Sequence, residues 1–217
     1  MWDKMECLKK IDETGIVLVI RLGDEQEAMK VAEAAIAGGI LALEITMSVP
    51  NALGIIKTLS EKYKEKGIVI GAGTVLDAET ARAAILAGAN MLVSPQLNRE
   101  MIKMANRYQA ISISGAFTPT EILETMEAGA DIVKLFPAEF FGPAYVKTVK
   151  APLAQTPILP MGGITPENAK EWFKAGAACL GVGSFISKAA QKDGDYTKVT
   201  EAAKLFLKAV KESRLGN

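Results

Sequence analysis

The chain has 217 residues, 49% of them apolar and 23% charged, with 25 basic and 25 acidic side chains. A neutral balance argues against a nucleic-acid footprint or a polybasic membrane surface, and a globular composition at this length is enough to bury a core without staples. The most restrictive count is a zero: without histidine, serine–histidine and cysteine–histidine nucleophiles, histidine zinc motifs and imidazole proton shuttles are excluded, leaving Asp, Glu, Lys, Tyr or Cys as acids and bases.

An extra helix is expected at about 2–12, ahead of a repeating theme in which a short apolar run meets a turn and then an amphipathic stretch. The runs are Ile16–Arg21, Ala42–Thr46, Ile68–Gly71, Met91–Ser94, Ala110–Ser114, Ile132–Phe136, Ile158–Met161 and Cys179–Val182. Most are continuously apolar, as in strands buried on both faces of a parallel sheet. The segments between them read as helices. Asp24 opens one that runs through Ile36, and Thr118-Pro119-Thr120-Glu121 supplies a cap, a proline in the first turn and a carboxylate. Thr165-Pro166-Glu167 repeats that signal, and Ala-Gly pairs near residues 38, 88, 129 and 176 mark helix ends. A last helix is expected at about 196–212.

Eight βα units predict one (β/α)₈ barrel spanning residues 1–217. The competing doubly wound sheet lacks its signature, since Arg21-Leu22-Gly23-Asp24 follows the first strand in place of a glycine-rich dinucleotide loop. Cys7 and Cys179 match no metal or redox spacing and read as free thiols of a cytoplasmic protein. The charged first six residues lack a signal peptide's apolar stretch, and no apolar run reaches the roughly 18 residues of a membrane span.

Two strands carry a charge amid apolar residues: Glu44 in Leu41–Thr46 and Lys134 in Asp131–Pro137. Alternation places Glu44 with Thr46 on one face and Lys134 with Ile132 and Phe136 on one face. A buried ion pair, or a lysine reaching outward between helices, would account for them structurally. Chemically, an amine in an apolar pocket loses its proton readily and attacks ketones as a Schiff-base nucleophile, and a nearby glutamate can shuttle protons.

Glycine turns follow the seventh and eighth strands, at Gly162-Gly163 and Gly181-Val182-Gly183-Ser184. Backbone N–H groups there, with the dipole of the next helix, would favour a phosphate at the usual anion end of such a barrel. Arg21, brought beside strand 8 by barrel closure, adds a cation. Gly71-Ala72-Gly73-Thr74 offers a further backbone nest with a hydroxyl.

Glu44 in Leu-Glu-Ile-Thr, the Gly71–Val75 segment, Ser94-Pro95, Thr118–Glu121, Lys134 in Lys-Leu-Phe-Pro-Ala-Glu, Gly162-Gly163-Ile164 and Gly181–Ser184 occur in this order. Together they resemble the family of 2-keto-3-deoxy-6-phosphogluconate (KDPG) and 4-hydroxy-2-oxoglutarate (KHG) aldolases, over about residues 10–190. The resemblance implies a class I aldolase that needs no metal or cofactor, usually a homotrimer. It implies Lys134 as the Schiff-base lysine and Glu44 as the acid and base. Thr74, with the Ser94-Pro95 turn, would hold the pyruvate carboxylate beside Phe136, and Arg21, Gly162, Gly163, Gly183 and Ser184 would hold the substrate phosphate. Its substrates would be KDPG, KHG or the galactonate-derived analogue of KDPG. A metal-free phosphosugar isomerase, with Glu44 enolising and Lys134 as electrostatic partner, is the alternative enzyme, and a non-catalytic barrel with a structural Glu44–Lys134 pair is the alternative to an enzyme. Three positions depart from the common family pattern: Ser48 stands for an arginine, Met161 for a threonine and Ser114 for a proline.

Overall fold

The computed structural model describes residues 2–215. Helix α1 (Asp3–Thr14) precedes eight parallel strands: β1 (Ile16–Ile20), β2 (Ala42–Thr46), β3 (Val69–Gly73), β4 (Met91–Val93), β5 (Ile111–Ala116), β6 (Ile132–Leu135), β7 (Ile158–Pro160) and β8 (Leu180–Val182). Each strand pairs with the next, β8 pairs with β1, and a parallel bridge from Met161 to Gly181 joins β7 to β8 and closes the ring. The helices that alternate with the strands are α2 (Glu25–Ala37), α3 (Ala52–Lys62), α4 (Ala78–Leu86), α5 (Arg99–Tyr108), α6 (Pro119–Glu127), α7 (Gly142–Lys150), α8 (Ala169–Lys174) and α9 (Ser184–Ser187). A long α10 (Thr197–Leu215) follows. This is the expected (β/α)₈ barrel.

The apolar runs are continuous because each strand faces two cores. Val17, Val19, Val69, Met91, Val93, Ile111, Ile113, Ile132 and Leu159 fill the interior of the ring. Leu18, Leu43, Ile45, Leu92, Val133 and Leu135 point outward and pack against helices. Each such side chain contributes about 1.5–3 kcal/mol by leaving water. Cys7 and Ile11 of α1 join the interior cluster, so this first helix is packed on the core of the ring. Cys179 lies there too, its thiol pushed up to about 12 by burial, which leaves it unreactive.

Several boundaries differ from the sequence reading. Strand β3 continues through Ala72 and Gly73, and β5 through Ala116, because parallel partners extend the ladder beyond the apolar residues. Thr118 and Glu121 form the reciprocal capping box expected at α6. Thr165 caps nothing: α8 starts at Ala169, since the Asn168 side chain accepts from Thr165 N–H at 3.0 Å and donates to the Gly163 carbonyl at 2.8 Å, holding the segment as a turn. The helix after β8 is four residues long, so its dipole adds little to anion binding. At the Ala-Gly helix ends, Gly39, Gly88, Gly129 and Gly176 all take φ near +100°, a conformation that costs a residue with a Cβ.

Candidate active site

Side-chain alternation sets the site. Ala42 belongs to the interior cluster while Leu43 and Ile45 belong to the outer layer, so Glu44 points into the ring. By the same argument Ile132 and Lys134 point inward between the outward Val133 and Leu135. Both groups are buried, Glu44 at 1% and Lys134 at 3% exposure. Neither the ion-pair filler nor the outward-reaching lysine describes them: Glu44 and Lys134 form no direct ion pair, and the Glu44 Oε2 atom has no hydrogen-bond partner among the described residues.

Room for the carboxyl comes from Gly73 across the β2–β3 ladder. A Cβ at that position would lie 2.7 Å from the Glu44 carboxyl. Gly115, the ladder partner of Lys134, plays a similar part on the other side, where a Cβ would sit 2.1 Å from the carbonyl oxygen of Pro95. The β4–α5 loop therefore presses directly on β5. Glycine also thins the wall at Gly181, where a Cβ would meet the Met161 side chain at 2.5 Å.

Burial is the main influence on both charges. It pushes Glu44 above the usual carboxylate range, opposed by the nearby Lys134 and Arg21. It pulls Lys134 below the usual amine range, opposed by Glu44 and assisted by Arg21. Both shifts run toward the uncharged forms, a neutral amine and a protonated acid. Such an amine is a nucleophile, and such an acid can first give a proton and then take one. The Lys134 Nζ atom stands 5.0 Å from the centre of the Phe136 ring, which walls it on one side.

Lys134 lies in a cavity of about 490 Å3 together with Arg21, Phe136, Gly162, Gly163, Gly183 and Ser184. Seven of the ten residues singled out from the sequence are therefore brought together, counting Lys134 itself. Glu44, Thr74 and Pro95 stand outside this lining. Thr74 is tied to it through Arg21, whose Nη2 donates to the Thr74 hydroxyl at 3.2 Å. Thr74 takes φ +58°, an unusual conformation for a β-branched residue and a mark of local backbone strain. The Ser94-Pro95 turn offers no free hydroxyl: Ser94 donates to the Gln96 carbonyl at 2.7 Å and pairs with Ser114 at 3.0 Å. Ser48 pairs with Thr46 at 3.0 Å, so the loop after β2 presents a hydroxyl there and Arg21 is the cation beside Thr74.

At the glycine turn after β7, Gly162 and Gly163 take φ +115° and +69°. Among the described residues their N–H groups make no hydrogen bond to protein, which leaves them free for an anion. The turn is held by the Ala138 N–H, which donates to the Met161 carbonyl at 2.9 Å. Glu139 and Lys188 also line the cavity and escaped the sequence reading. The signal for Lys188 was its spacing, one helical turn after Ser184. For Glu139 nothing local distinguishes a site residue from a solvated one.

A family model described as KDPG and KHG aldolase matches residues 7–202. The 2-dehydro-3-deoxy-6-phosphogalactonate aldolase of Escherichia coli K12 is 34% identical over 91% of this chain and 95% of its own. The 2-dehydro-3-deoxy-phosphogluconate aldolase of Zymomonas mobilis is 35% identical over 87% of this chain and 89% of its own. The crystal structure of KDPG aldolase from Legionella pneumophila, with pyruvate captured at low pH as a covalent carbinolamine, superposes with a TM-score of 0.82 at 27% identity. That match covers 94% of this chain and 97% of the other.

Proposed function

Because the chain belongs to the KDPG and KHG aldolase family, and is thus a lyase, we propose that it cleaves 2-keto-3-deoxy-6-phosphogluconate to pyruvate and glyceraldehyde 3-phosphate through a Schiff base on Lys134. Family membership replaces both the isomerase and the non-catalytic alternatives. The observation that carries the reading is a buried amine lining the same cavity as a glycine turn with free N–H groups.

The Lys134 amine attacks the C2 ketone and forms a carbinolamine. Glu44, acting as the acid, gives a proton to the departing hydroxyl; water leaves and an iminium remains. The carboxylate so generated takes the C4 hydroxyl proton, directly or through water. The C3–C4 electrons move into the iminium, and glyceraldehyde 3-phosphate departs from a pyruvate enamine. Protonation at C3 and hydrolysis then free pyruvate and restore the amine. Thr74 and Arg21 hold the keto-acid carboxylate beside Pro95 and Phe136; Gly162, Gly163, Gly183 and Ser184 hold the phosphate. The sequence reading grouped Arg21 with the phosphate ligands; its hydrogen bond to Thr74 moves it to the keto-acid side.

A second reading, the galactonate-derived epimer at C4, is favoured by the Escherichia coli relative; Met161, which lines the cavity, lacks the hydroxyl with which many family members could read a sugar-acid hydroxyl. The epimers yield the same products, so a side-by-side turnover assay on both, with 4-hydroxy-2-oxoglutarate as the unphosphorylated substrate, decides between them. The phosphogluconate-derived acid is expected to show the highest kcat/KM; a higher value for either competitor overturns the substrate assignment.

Gly73→Ala tests the placement of the acid. A methyl group there must displace the buried Glu44 carboxyl, and a misplacement of this kind costs on the order of 10²-fold in turnover. Steady-state kcat measures it, with a melting curve to show that the barrel persists; unchanged kcat would mean that the carboxyl's position is immaterial.

The assembly we favour is a homotrimer in the cytoplasm. Exposed Phe140 and Phe141, at 73% and 48%, support an apolar contact between copies, and two free buried thiols suit a reducing compartment. No helix among the described residues is long and apolar enough to cross a membrane.

A further inference from the structure

The phosphate end of the cavity has a cationic residue of its own. Lys188 lines the cavity together with Gly162, Gly163, Gly183 and Ser184. Its backbone N–H donates to the Ser184 carbonyl at 3.1 Å, which places it one turn beyond Ser184 and on the same face. The side chain is exposed, and among the described residues it has no ion-pair or hydrogen-bond partner.

The other two cations of the cavity are engaged elsewhere. Lys134 is the reacting amine of the proposed mechanism, and Arg21 is bonded to Thr74, on the keto-acid side. A phosphate monoester carries close to two negative charges at neutral pH. The N–H groups of the glycine turn supply dipoles to such a group but no counter-charge, and Glu139, packed against Gly162 and Gly163, adds a negative one. A cation there would offset that sum, and among the described residues Lys188 is, besides the reacting Lys134, the cavity cation whose side chain has no protein partner of its own.

We propose that Lys188 is the phosphate-binding cation of this chain, and that it sets the preference for phosphorylated over unphosphorylated 2-keto acids. The proposal rests on the aldolase reading above for its substrate, and deepens it by assigning the charge that selects that substrate. A flexible amine on the cavity rim acts on the phosphate as a point charge, so arginine should serve nearly as well as lysine.

The test compares wild type with Lys188→Ala, Lys188→Arg and Lys188→Glu. Alanine should lower the ratio of kcat/KM for the phosphorylated acid over 4-hydroxy-2-oxoglutarate by about 10- to 100-fold, the loss of one charge-assisted bond. Glutamate should lower it further and arginine restore most of it. Inhibition by inorganic phosphate should weaken in parallel, and rising salt should reduce the lysine advantage. An unchanged ratio, or an equal loss on both substrates, overturns the proposal.

Borohydride trapping of pyruvate on the wild-type protein reports separately on the aldolase reading. Should no adduct form, calorimetric titration of the intact protein with inorganic phosphate still judges Lys188. Weaker binding in the alanine variant, rescued by arginine, upholds the anion site, and equal binding in all variants refutes it.

Discussion

Lys134→Arg is expected to lower aldol cleavage by roughly 10³-fold or more and to abolish reductive trapping of pyruvate. The guanidinium stays protonated at any pH that the fold tolerates, so it has no electron pair to offer the C2 ketone. It would also bring a permanent charge into a position of 3% exposure, where lysine can shed its own. Lys134→Met separates the two effects. Methionine removes nucleophile and charge together, and it should match or exceed the wild-type melting temperature, because the site no longer desolvates an amine. Steady-state turnover and mass spectrometry after borohydride, read with melting curves, measure all of this. Arginine retaining more than a few per cent of the activity would end the Schiff-base role. The pH dependence has a definite sign: burial lowers the Lys134 pKa, so the attacking neutral form persists below the pH at which an ordinary lysine loses it. Adduct formation should therefore persist to lower pH than an ordinary lysine would allow and fall as the pH drops through that lowered value.

For Glu44→Gln the expected loss is roughly 10²–10⁴-fold in kcat, the usual worth of a positioned acid or base. The carboxamide preserves shape and burial but carries no exchangeable acid proton. Two steps should suffer: dehydration of the carbinolamine, which needs the acid, and cleavage of the C3–C4 bond, which needs the base. Pyruvate trapping should consequently slow as well, and a variant that traps at the wild-type rate while cleaving slowly would assign Glu44 to the second step alone. Because burial raises the Glu44 pKa, the acid form extends above the ordinary carboxylate range. The limb of the pH profile governed by this group should then lie closer to neutrality than pH 4.5, and the glutamine variant should lose it. An unchanged turnover number would remove Glu44 from the mechanism.

Much of the fold could be read locally because its determinants are local. Apolar runs bounded by glycine and proline mark strands. Asp24 and Thr118 mark helix starts by the hydrogen bonds that their side chains accept. Glu44 and Lys134 stood out for the same reason, since a charge within a run destined for both faces of a sheet is costly unless it has a use. Where the reading slipped, a longer-range partner had intervened. Asn168 turned an expected cap at Thr165 into a loop, and the neighbouring strands carried β3 and β5 past the ends of their apolar residues.

The amino-acid sequence alone determined that this protein is a barrel of alternating strands and helices, and that one amine and one carboxyl would lie within its apolar staves. Strand pairing and ring closure decided the rest. They turned both groups inward without joining them, opened space for Glu44 opposite Gly73, bound Arg21 to Thr74, enclosed Ser94 in its own loop and set Lys188 against the glycine turns. Those outcomes depend on distances between segments far apart along the chain, and side-chain chemistry read one residue at a time contains no such distances.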